Sequence, residues 1–156
     1  MLSRLVNFLI KMALERPYRK GHIYHTDGSL YMGRYALFET KYLSARVHHI
    51  ATEDKDVVMH DHPWWFVSIV LRGAYSEQRP TSVDPCFYGA DKEDSYTTVR
   101  FPGSISFRRA TDRHLICSVI TDTWTLFIYG PIRQWWGFFT PKGKIYWKDF
   151  SDRSRG

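Results

Sequence analysis

The chain has 156 residues, of which 44% are hydrophobic and 17% aromatic, which predicts one compact domain and excludes an intrinsically disordered chain. Its 22 basic and 16 acidic residues give a formal net charge of +6, which favours an anionic ligand or partner. Cys86 and Cys117 are too few for a disulfide framework or a cysteine-rich zinc site, so we expect a reducing, cytoplasmic location.

An amphipathic helix is predicted at the N-terminus, ending before Pro17. The helical i, i+3, i+4, i+7 spacing is followed by Leu2, Leu5, Val6, Leu9 and Ala13. We expect residues 1–16 to pack over one face of the domain as a lid, with docking to a membrane or a partner as the alternative. No stretch approaches the ~20 apolar residues that span a bilayer.

The rest of the chain is predicted to be all-β. Short runs rich in β-branched and aromatic residues alternate with turn signals, which is typical of a sandwich or barrel. We expect this barrel to occupy residues 17–150, with a long loop at 79–95 and a frayed tail at 151–156. The predicted strands are residues 31–38, 42–50, 57–60, 66–71, 75–78, 97–101, 104–108, 115–121, 125–129 and 144–147.

The strongest local feature is the pair His60 and His62. Residues at i and i+2 on a strand point to the same side, so both rings can reach one metal ion. Imidazole suits zinc, copper, iron and nickel, so the pair alone does not select a metal. Two solvated histidines on a strand edge would show the same spacing.

Regular spacing extends on both sides of this pair. Five residues separate Asp54 from His60, three separate His62 from Phe66, and six separate Phe66 from Gly73.

A second frame follows around His114. Five residues separate Gly103 from Arg109, Thr111 comes two positions after Arg109, two residues precede His114, and three separate His114 from Ser118. In these spacings the chain resembles the cupin superfamily, whose motifs are G-x5-H-x-H-x3-E-x6-G and G-x5-P-x-G-x2-H-x3-N. The resemblance implies a single cupin-type double-stranded β-helix (jelly-roll) barrel, here preceded by the N-terminal amphipathic helix.

The resemblance also implies a metal site with an unusual ligand set. The three motif histidines are present as His60, His62 and His114, whereas Phe66 stands where the family has its carboxylate ligand. Three histidines with open positions are typical of a catalytic site. Some cupin thiol dioxygenases use three histidines with ferrous iron, but the divalent ion here could be Fe, Zn, Ni or Mn. Loss of the carboxylate can also mean loss of the metal, which would leave a binding pocket.

The motif frames depart from the family at other positions too, where Asp54, Arg109, Thr111 and Ser118 replace glycine, proline, glycine and asparagine. The wider segments 60–77 and 126–138 resemble a group of bacterial and phage cupin-like proteins of undefined activity. That second resemblance implies a fold and no substrate.

Strand alternation from Phe66 identifies further pocket candidates. It places Ser68 inside the barrel and Arg72 near the rim. Tyr75 and Glu77 share a face and are candidate proton-transfer residues.

Alternation also places either His48 or His49 inside the barrel, with His48 the candidate catalytic residue. Arg108 is the preferred inward arginine and, with Arg72 and Ser68, a candidate for binding substrate. Asp61 alternates away from its flanking histidines, so we expect at most a bond that fixes a ring tautomer.

Three functions remain open from sequence. The first is a metal-dependent cupin enzyme, most specifically a dioxygenase-type one, that acts on a small anionic substrate. The second is a non-catalytic barrel that binds an anionic small molecule such as a nucleotide. The third is an assembly protein that uses its aromatic surface. Nucleic-acid binding by the aromatic C-terminal segment is disfavoured, and a homodimer is expected by analogy with other cupins.

Overall fold

The structure is a computed structural model that describes residues 2–15, 21–25, 27–54, 58–81 and 95–153. In chain order its elements are α1 (Leu2–Leu14), β1 (Ile23–Tyr24), β2 (Leu30–Glu39), β3 (Ser44–Ile50), β4 (Phe66–Arg72), β5 (Tyr75–Pro80), β6 (Ser95–Arg100), β7 (Ile105–Arg108), β8 (Leu115–Val119), β9 (Thr123–Tyr129), β10 (Gly137–Thr140), β11 (Gly143–Tyr146) and α2 (Trp147–Arg153).

The strands form two facing antiparallel sheets and a separate hairpin. The larger sheet has the order β1-β2-β3-β9-β4-β7, the smaller has β6-β5-β8, and β10 pairs with β11. Ile50 and Val70 from the larger sheet pack against Tyr75 and Ile116 from the smaller one. Side chains of both inner faces therefore share one core, and the predicted all-β jelly-roll barrel is confirmed.

The register of the larger sheet sets which side chains meet inside the barrel. Arg34 lies opposite His48, His48 opposite Thr125, and Thr125 opposite Val70. This row crosses β2, β3, β9 and β4 on the inner face, where side chains of neighbouring strands lie side by side.

A tight turn joins β4 of the larger sheet to β5 of the smaller one. Gly73 adopts φ = 71° there, and a Cβ at this position would collide with Thr123. Glycine tolerates both conditions, which explains why the last position of the first motif frame is a glycine.

Helix α1 covers the outer face of the larger sheet. Its Ile10 and Ala13 are buried against Tyr35, Val47 and Trp124. The amphipathic helix is confirmed, but it lies on the outside of the sheet and not over the cavity. Neither of the described helices is long and apolar enough to cross a membrane.

The buried stripe of α1 differs from the predicted one. Ile10 is buried, whereas the predicted core residue Leu5 is 54% exposed. The contact with the sheet runs through positions 6, 10 and 13, so the helix is rotated relative to the stripe that the apolar spacing predicts.

Several predicted element boundaries also differ. In the described part of the predicted strand 57–60, only His60 makes β-bridges, to His114 and Phe138, and residue 57 lies outside the described residues. Trp147 begins α2 instead of ending a strand, and α2 takes in residues 151–153 of the expected tail. Residues 82–94 of the predicted loop, including Cys86, are outside the described residues, and Cys117 is exposed with a free thiol.

Candidate metal centre

Three histidines converge in a cavity between the two sheets. Their candidate ligand nitrogens, from His60, His62 and His114, all lie within 4.8 Å of one another. The cavity has a volume of about 590 Å³ and is lined by all three rings. The histidines that the two motif frames single out are therefore neighbours in space.

Backbone pairing between the two motif segments places the rings. His60 and His114 exchange both backbone N–H···O hydrogen bonds at 3.0 Å, and the N–H of His62 donates to the carbonyl of Ala110. Since His62 follows His60 by two residues, both rings project toward His114. The rings of His60 and His114 have their centroids 4.9 Å apart.

The environment of the cluster keeps His60 and His62 neutral. Burial lowers the pKa of His60 to about 4, with a further lowering by His114 that Asp54 opposes. Burial, followed by the neighbouring His114 and His60, lowers the pKa of His62 well below its ordinary value. Metal ions bind neutral imidazole, so this environment prepares both rings as ligands.

The ring of His114 is oriented by Glu77. His114 Nδ1 lies 2.9 Å from Glu77 Oε1, and pairing an Nδ1–H donor with this carboxylate leaves Nε2 as the nitrogen with a lone pair. Glu77 Oε2 accepts from Arg108 Nη2 at 2.5 Å and pairs with Arg100 Nη2 at 3.0 Å.

The carboxyl group of Glu77 is ionised in this network. Burial alone would raise its pKa, but the hydrogen bonds and charges of His114 and Arg108 lower the pKa well below its usual range. Glu77 is thus a fixed negative charge behind the ring of His114.

The spacing of His62 and His114 is close to what two ligands of one divalent ion require. His62 Nε2 and His114 Nε2 are 2.8 Å apart. Two imidazole nitrogens that share one tetrahedral zinc ion lie roughly 3.3 Å apart, given zinc–nitrogen distances near 2.0–2.1 Å. The two rings need separate by only a fraction of an ångström to bind one ion.

Phe66 lies at the position where cupin motifs have a carboxylate. Its ring is buried and meets the ring of His62 edge-on, with centroids 4.7 Å apart. It also packs against Phe127 at 4.6 Å. An apolar wall therefore stands beside the three imidazoles on this side.

Three other predicted pocket residues line the same cavity: Ser68, Tyr75 and His48. Burial raises the pKa of the Tyr75 phenol, and Glu77 raises it further, so this hydroxyl remains protonated at neutral pH. Of the two candidate histidines, His48 faces inward. His49 faces outward, where its ring stacks on Trp124 at 4.5 Å.

The two arginines predicted to bind substrate have other contacts. Arg72 lies outside the cavity lining, where Nη1 donates to Asp122 at 2.8 Å and Nη2 to Asn7 of α1 at 2.6 Å. A register shift between Val70 and Arg72 breaks the alternation that predicted Arg72 on the inner face near the rim. Arg108 does point inward, but its guanidinium is paired with Glu77.

Asp61 does not contact a histidine ring through any hydrogen bond found in the described residues. It accepts hydrogen bonds from Lys144 Nζ at 2.6 Å, Gln134 Nε2 at 2.8 Å and the backbone N–H of Gly137 at 2.9 Å. Its role is to anchor the β10–β11 hairpin beside the cluster. The tautomer-fixing contact considered for Asp61 is made by Glu77 instead.

Sequence reasoning missed two parts of the cavity. One is the pair Arg34 and Arg46 on β2 and β3. The i, i+2 relation of Arg46 to His48 was a usable signal, whereas Arg34 comes next to His48 only through the strand register. The other part is an aromatic wall from the C-terminal segment, formed by Trp136, Phe138, Trp147 and Phe150.

No protein-family model matches the chain, and comparison with curated proteins also returns no match. Among solved structures, the DMSP lyase DddQ from Ruegeria pomeroyi aligns with a TM-score of 0.53 at 16% identity, covering 80% of this chain and 59% of the lyase. An uncharacterised Klebsiella pneumoniae protein with a double-stranded β-helix domain aligns with a TM-score of 0.47 at 15% identity, covering 68% and 82%. Hydroxypropylphosphonic acid epoxidase from S. wedmorenis aligns with a TM-score of 0.48 at 18% identity, covering 73% and 56%.

These identities are low, so the likeness is one of fold. The two facing antiparallel sheets and the motif histidines at their centre agree with it. The chain has a double-stranded β-helix (jelly-roll) fold.

Proposed function

We propose that the chain binds one divalent metal ion through His60, His62 and His114 and is a metal-dependent enzyme that acts on a small anionic molecule. The observation that carries this proposal is the convergence of three imidazoles, their nitrogens within 4.8 Å, inside a cavity between the sheets. Three protein ligands leave coordination positions free for substrate or water.

A bound divalent ion would supply Lewis-acid chemistry or, for iron, oxygen chemistry at these free positions. The protein's own contribution begins with Glu77, which fixes the orientation of His114. The apolar ring of Phe66 keeps water and carboxylates from one side of the cluster.

Proton transfer falls to Tyr75 and His48. The Tyr75 hydroxyl, whose pKa is raised mainly by burial, is suited to donate a proton. His48 is neutral, because burial and then Arg34 and Arg46 lower its pKa to about 3. Glu77 is less suited than the sequence suggested, since its carboxylate is already engaged by His114 and Arg108.

Among metals and reactions, a ferrous dioxygenase-type reaction is the most specific version of the proposal. It is supported by the three-histidine set, which the cupin thiol dioxygenases share. Zinc, nickel or manganese with hydrolytic or isomerase chemistry is the broader version.

A non-catalytic anion-binding barrel is the second candidate. The observation that favours it is that both carboxylates lining the cavity in the described residues already have partners. Glu77 contacts His114 and Arg108, and Asp54 accepts a hydrogen bond from the backbone N–H of Ile116. This candidate predicts ligand binding that is independent of metal and no turnover.

The test is the metal content of the chain purified without chelator. We expect about one equivalent of a transition metal in the wild type, its loss in His62→Ala and its retention in His49→Ala, whose ring lies on the outer face. A wild type without metal that also fails to take up added Fe(II), Zn(II), Ni(II) or Mn(II) would overturn the metal-enzyme proposal and favour the anion-binding barrel.

A further inference from the structure

A second group of polar side chains lines the cavity, on the wall that β2 and β3 form. Arg34 lies directly opposite His48, and Arg46 precedes His48 by two residues on the same strand. All three side chains line the cavity that holds the histidine cluster. Residues directly opposite in an antiparallel pair have Cβ atoms about 4.5–5.5 Å apart, so Arg34 and His48 are neighbours.

The charge of Arg34 is not compensated by an ion pair with any described residue. Its Nε donates to the backbone carbonyl of Gly21, which carries no net charge. Arg46, in contrast, pairs with Glu39, whose Oε1 lies 2.5 Å from Arg46 Nη2. One positive charge therefore remains available on this wall.

The acidic residues that line the cavity do not neutralise Arg34. Glu77 is engaged by Arg108 and His114. Asp54 accepts the backbone N–H of Ile116 at 2.8 Å. On the wall itself, the two guanidinium groups of Arg34 and Arg46 face one carboxylate, that of Glu39, so a net positive charge remains.

His48 supplies the second observation. Its side chain is buried, and its Nε2 has no hydrogen-bond partner among the described residues. Leaving a buried polar nitrogen unpaired costs about 1–3 kcal/mol, which a ligand oxygen at this nitrogen would recover. The ring is held in place by stacking on Phe127 at 4.6 Å.

We propose that Arg34 and His48, with Arg46 beside them, form an oxyanion-binding subsite that receives a carboxylate or phosphate group of the molecule bound in the cavity. The planar guanidinium of Arg34 can donate two parallel hydrogen bonds to such a group. The neutral ring of His48 donates a third from Nε2. In this proposal the anion is bound by Arg34 and His48 and not by Arg72 and Arg108, as the sequence predicted. The proposal rests on the proposed function only because it takes the cavity as the substrate site.

The experiment uses the full chain freed of metal by a chelator that is then removed by dialysis. Inorganic phosphate and acetate are titrated separately while the imidazole resonances of His48 are followed by NMR. We expect saturable binding of at least one of the two anions, and the stronger binder identifies a tetrahedral or a planar group. Arg34→Gln should weaken that binding at least tenfold, whereas Arg109→Gln, which changes an exposed arginine outside the cavity, should leave it within twofold.

Absence of saturable binding by both anions, or wild-type affinity in Arg34→Gln, overturns the subsite. Arg34→Lys keeps the positive charge but cannot donate two parallel hydrogen bonds, and it serves as a second variant if Arg34→Gln does not fold. We expect its affinity for the anion to fall at least threefold. Unchanged affinity would contradict the proposal.

His62→Ala separates this proposal from the metal site. Phosphate or acetate binding should persist in this variant, since the subsite does not include the histidine cluster. Loss of binding in His62→Ala would locate the anion at the cluster and overturn the subsite. Because every titration is done without metal, failure of the chain to bind a metal leaves this test unaffected.

Discussion

Glu77 holds the ring of His114 from behind: Glu77 Oε1 lies 2.9 Å from His114 Nδ1, and the same carboxylate accepts from Arg108 through Oε2 at 2.5 Å. The Glu77 and Arg108 side chains are 2% and 6% exposed. One buried carboxylate therefore orients a candidate metal ligand and compensates a buried guanidinium.

Glu77→Gln should lower the free energy of unfolding by about 3–5 kcal/mol, because it leaves the buried Arg108 uncompensated. The matched control is Asp122→Asn, which removes the charge of an exposed ion pair with Arg72 and should cost about 0–1 kcal/mol. Urea unfolding followed by tryptophan fluorescence measures both. Equal costs for the two variants would contradict a structural role for the Glu77 network.

The same variant should weaken metal binding. Outer contacts that orient a ligating histidine are worth roughly 10–100-fold in metal affinity. Competition with a chromophoric chelator measures this for Glu77→Gln under conditions where the variant is folded. Wild-type affinity in folded Glu77→Gln would contradict a role for the Glu77 carboxylate in preparing His114 as a ligand.

Asp61→Asn should loosen the C-terminal hairpin without removing metal. Asp61 bonds to Lys144, Gln134 and the Gly137 backbone, and hydrogen bonds to charged groups are worth about 1.5–3 kcal/mol. Hydrogen exchange should accelerate in β10 and β11, while Asp149→Asn, at an exposed position of α2, should not change it. Loss of metal from Asp61→Asn with an unchanged hairpin would instead make Asp61 part of the metal site.

Phe66→Glu should restore a carboxylate beside the three histidines. The metal-free variant should be destabilised by about 3–5 kcal/mol, because it loses a buried ring and buries a charge. Added divalent metal should recover much of this loss, and the affinity should exceed that of Phe66→Leu, which has no carboxylate. Thermal unfolding with and without metal compares the two variants. Equal metal affinity in both would place Phe66 away from the metal.

The metal-free protein should lose stability in acid partly through His48. Its pKa in the folded chain is about 3, lowered by burial and by Arg34 and Arg46, against an ordinary value of 6.5. Between these two values the unfolded chain binds a proton at His48 that the folded chain does not, so stability falls as the pH falls through this window.

His48→Gln removes the group that takes up this proton. The slope of the unfolding free energy against pH should therefore decrease by up to about 1.4 kcal/mol per pH unit between pH 6 and pH 4. Urea unfolding across this range gives the two slopes. Identical slopes for the wild type and His48→Gln would show that the ring is not neutral and buried in the folded chain.

Strand alternation predicted much of the inner surface correctly. Ser68 lines the cavity and Arg108 is buried against Glu77, as expected, because a period of two holds along regular strands. Alternation left His48 and His49 as alternatives, and His48 is the one that lines the cavity. The same rule placed Arg72 on the inner face near the rim, but the bulge after Val70 breaks the alternation and pairs Arg72 with Trp124 instead. Bulges of this kind have no clear signal in the sequence.

The contacts that complete the cavity depend on residues far apart in the chain. Asp61 meets Lys144, 83 residues later, and Arg34 meets His48 only through the β2–β3 register. Neither relation follows from local spacing. Helix α2 was missed because the sequence pattern extended the predicted strand 144–147 into its first residue, Trp147. The helix is held against the hairpin by packing of Phe138 on Phe150, whose ring centroids are 4.2 Å apart.

The most direct test of the central claim is a crystal of the chain, purified without chelator, from which anomalous scattering is recorded at the absorption edge of the metal identified by elemental analysis. The account predicts one strong peak within about 2.0–2.3 Å of nitrogens from His60, His62 and His114, with no protein carboxylate among its ligands. A peak elsewhere, or no peak after soaking with Fe(II) and Zn(II), would contradict it.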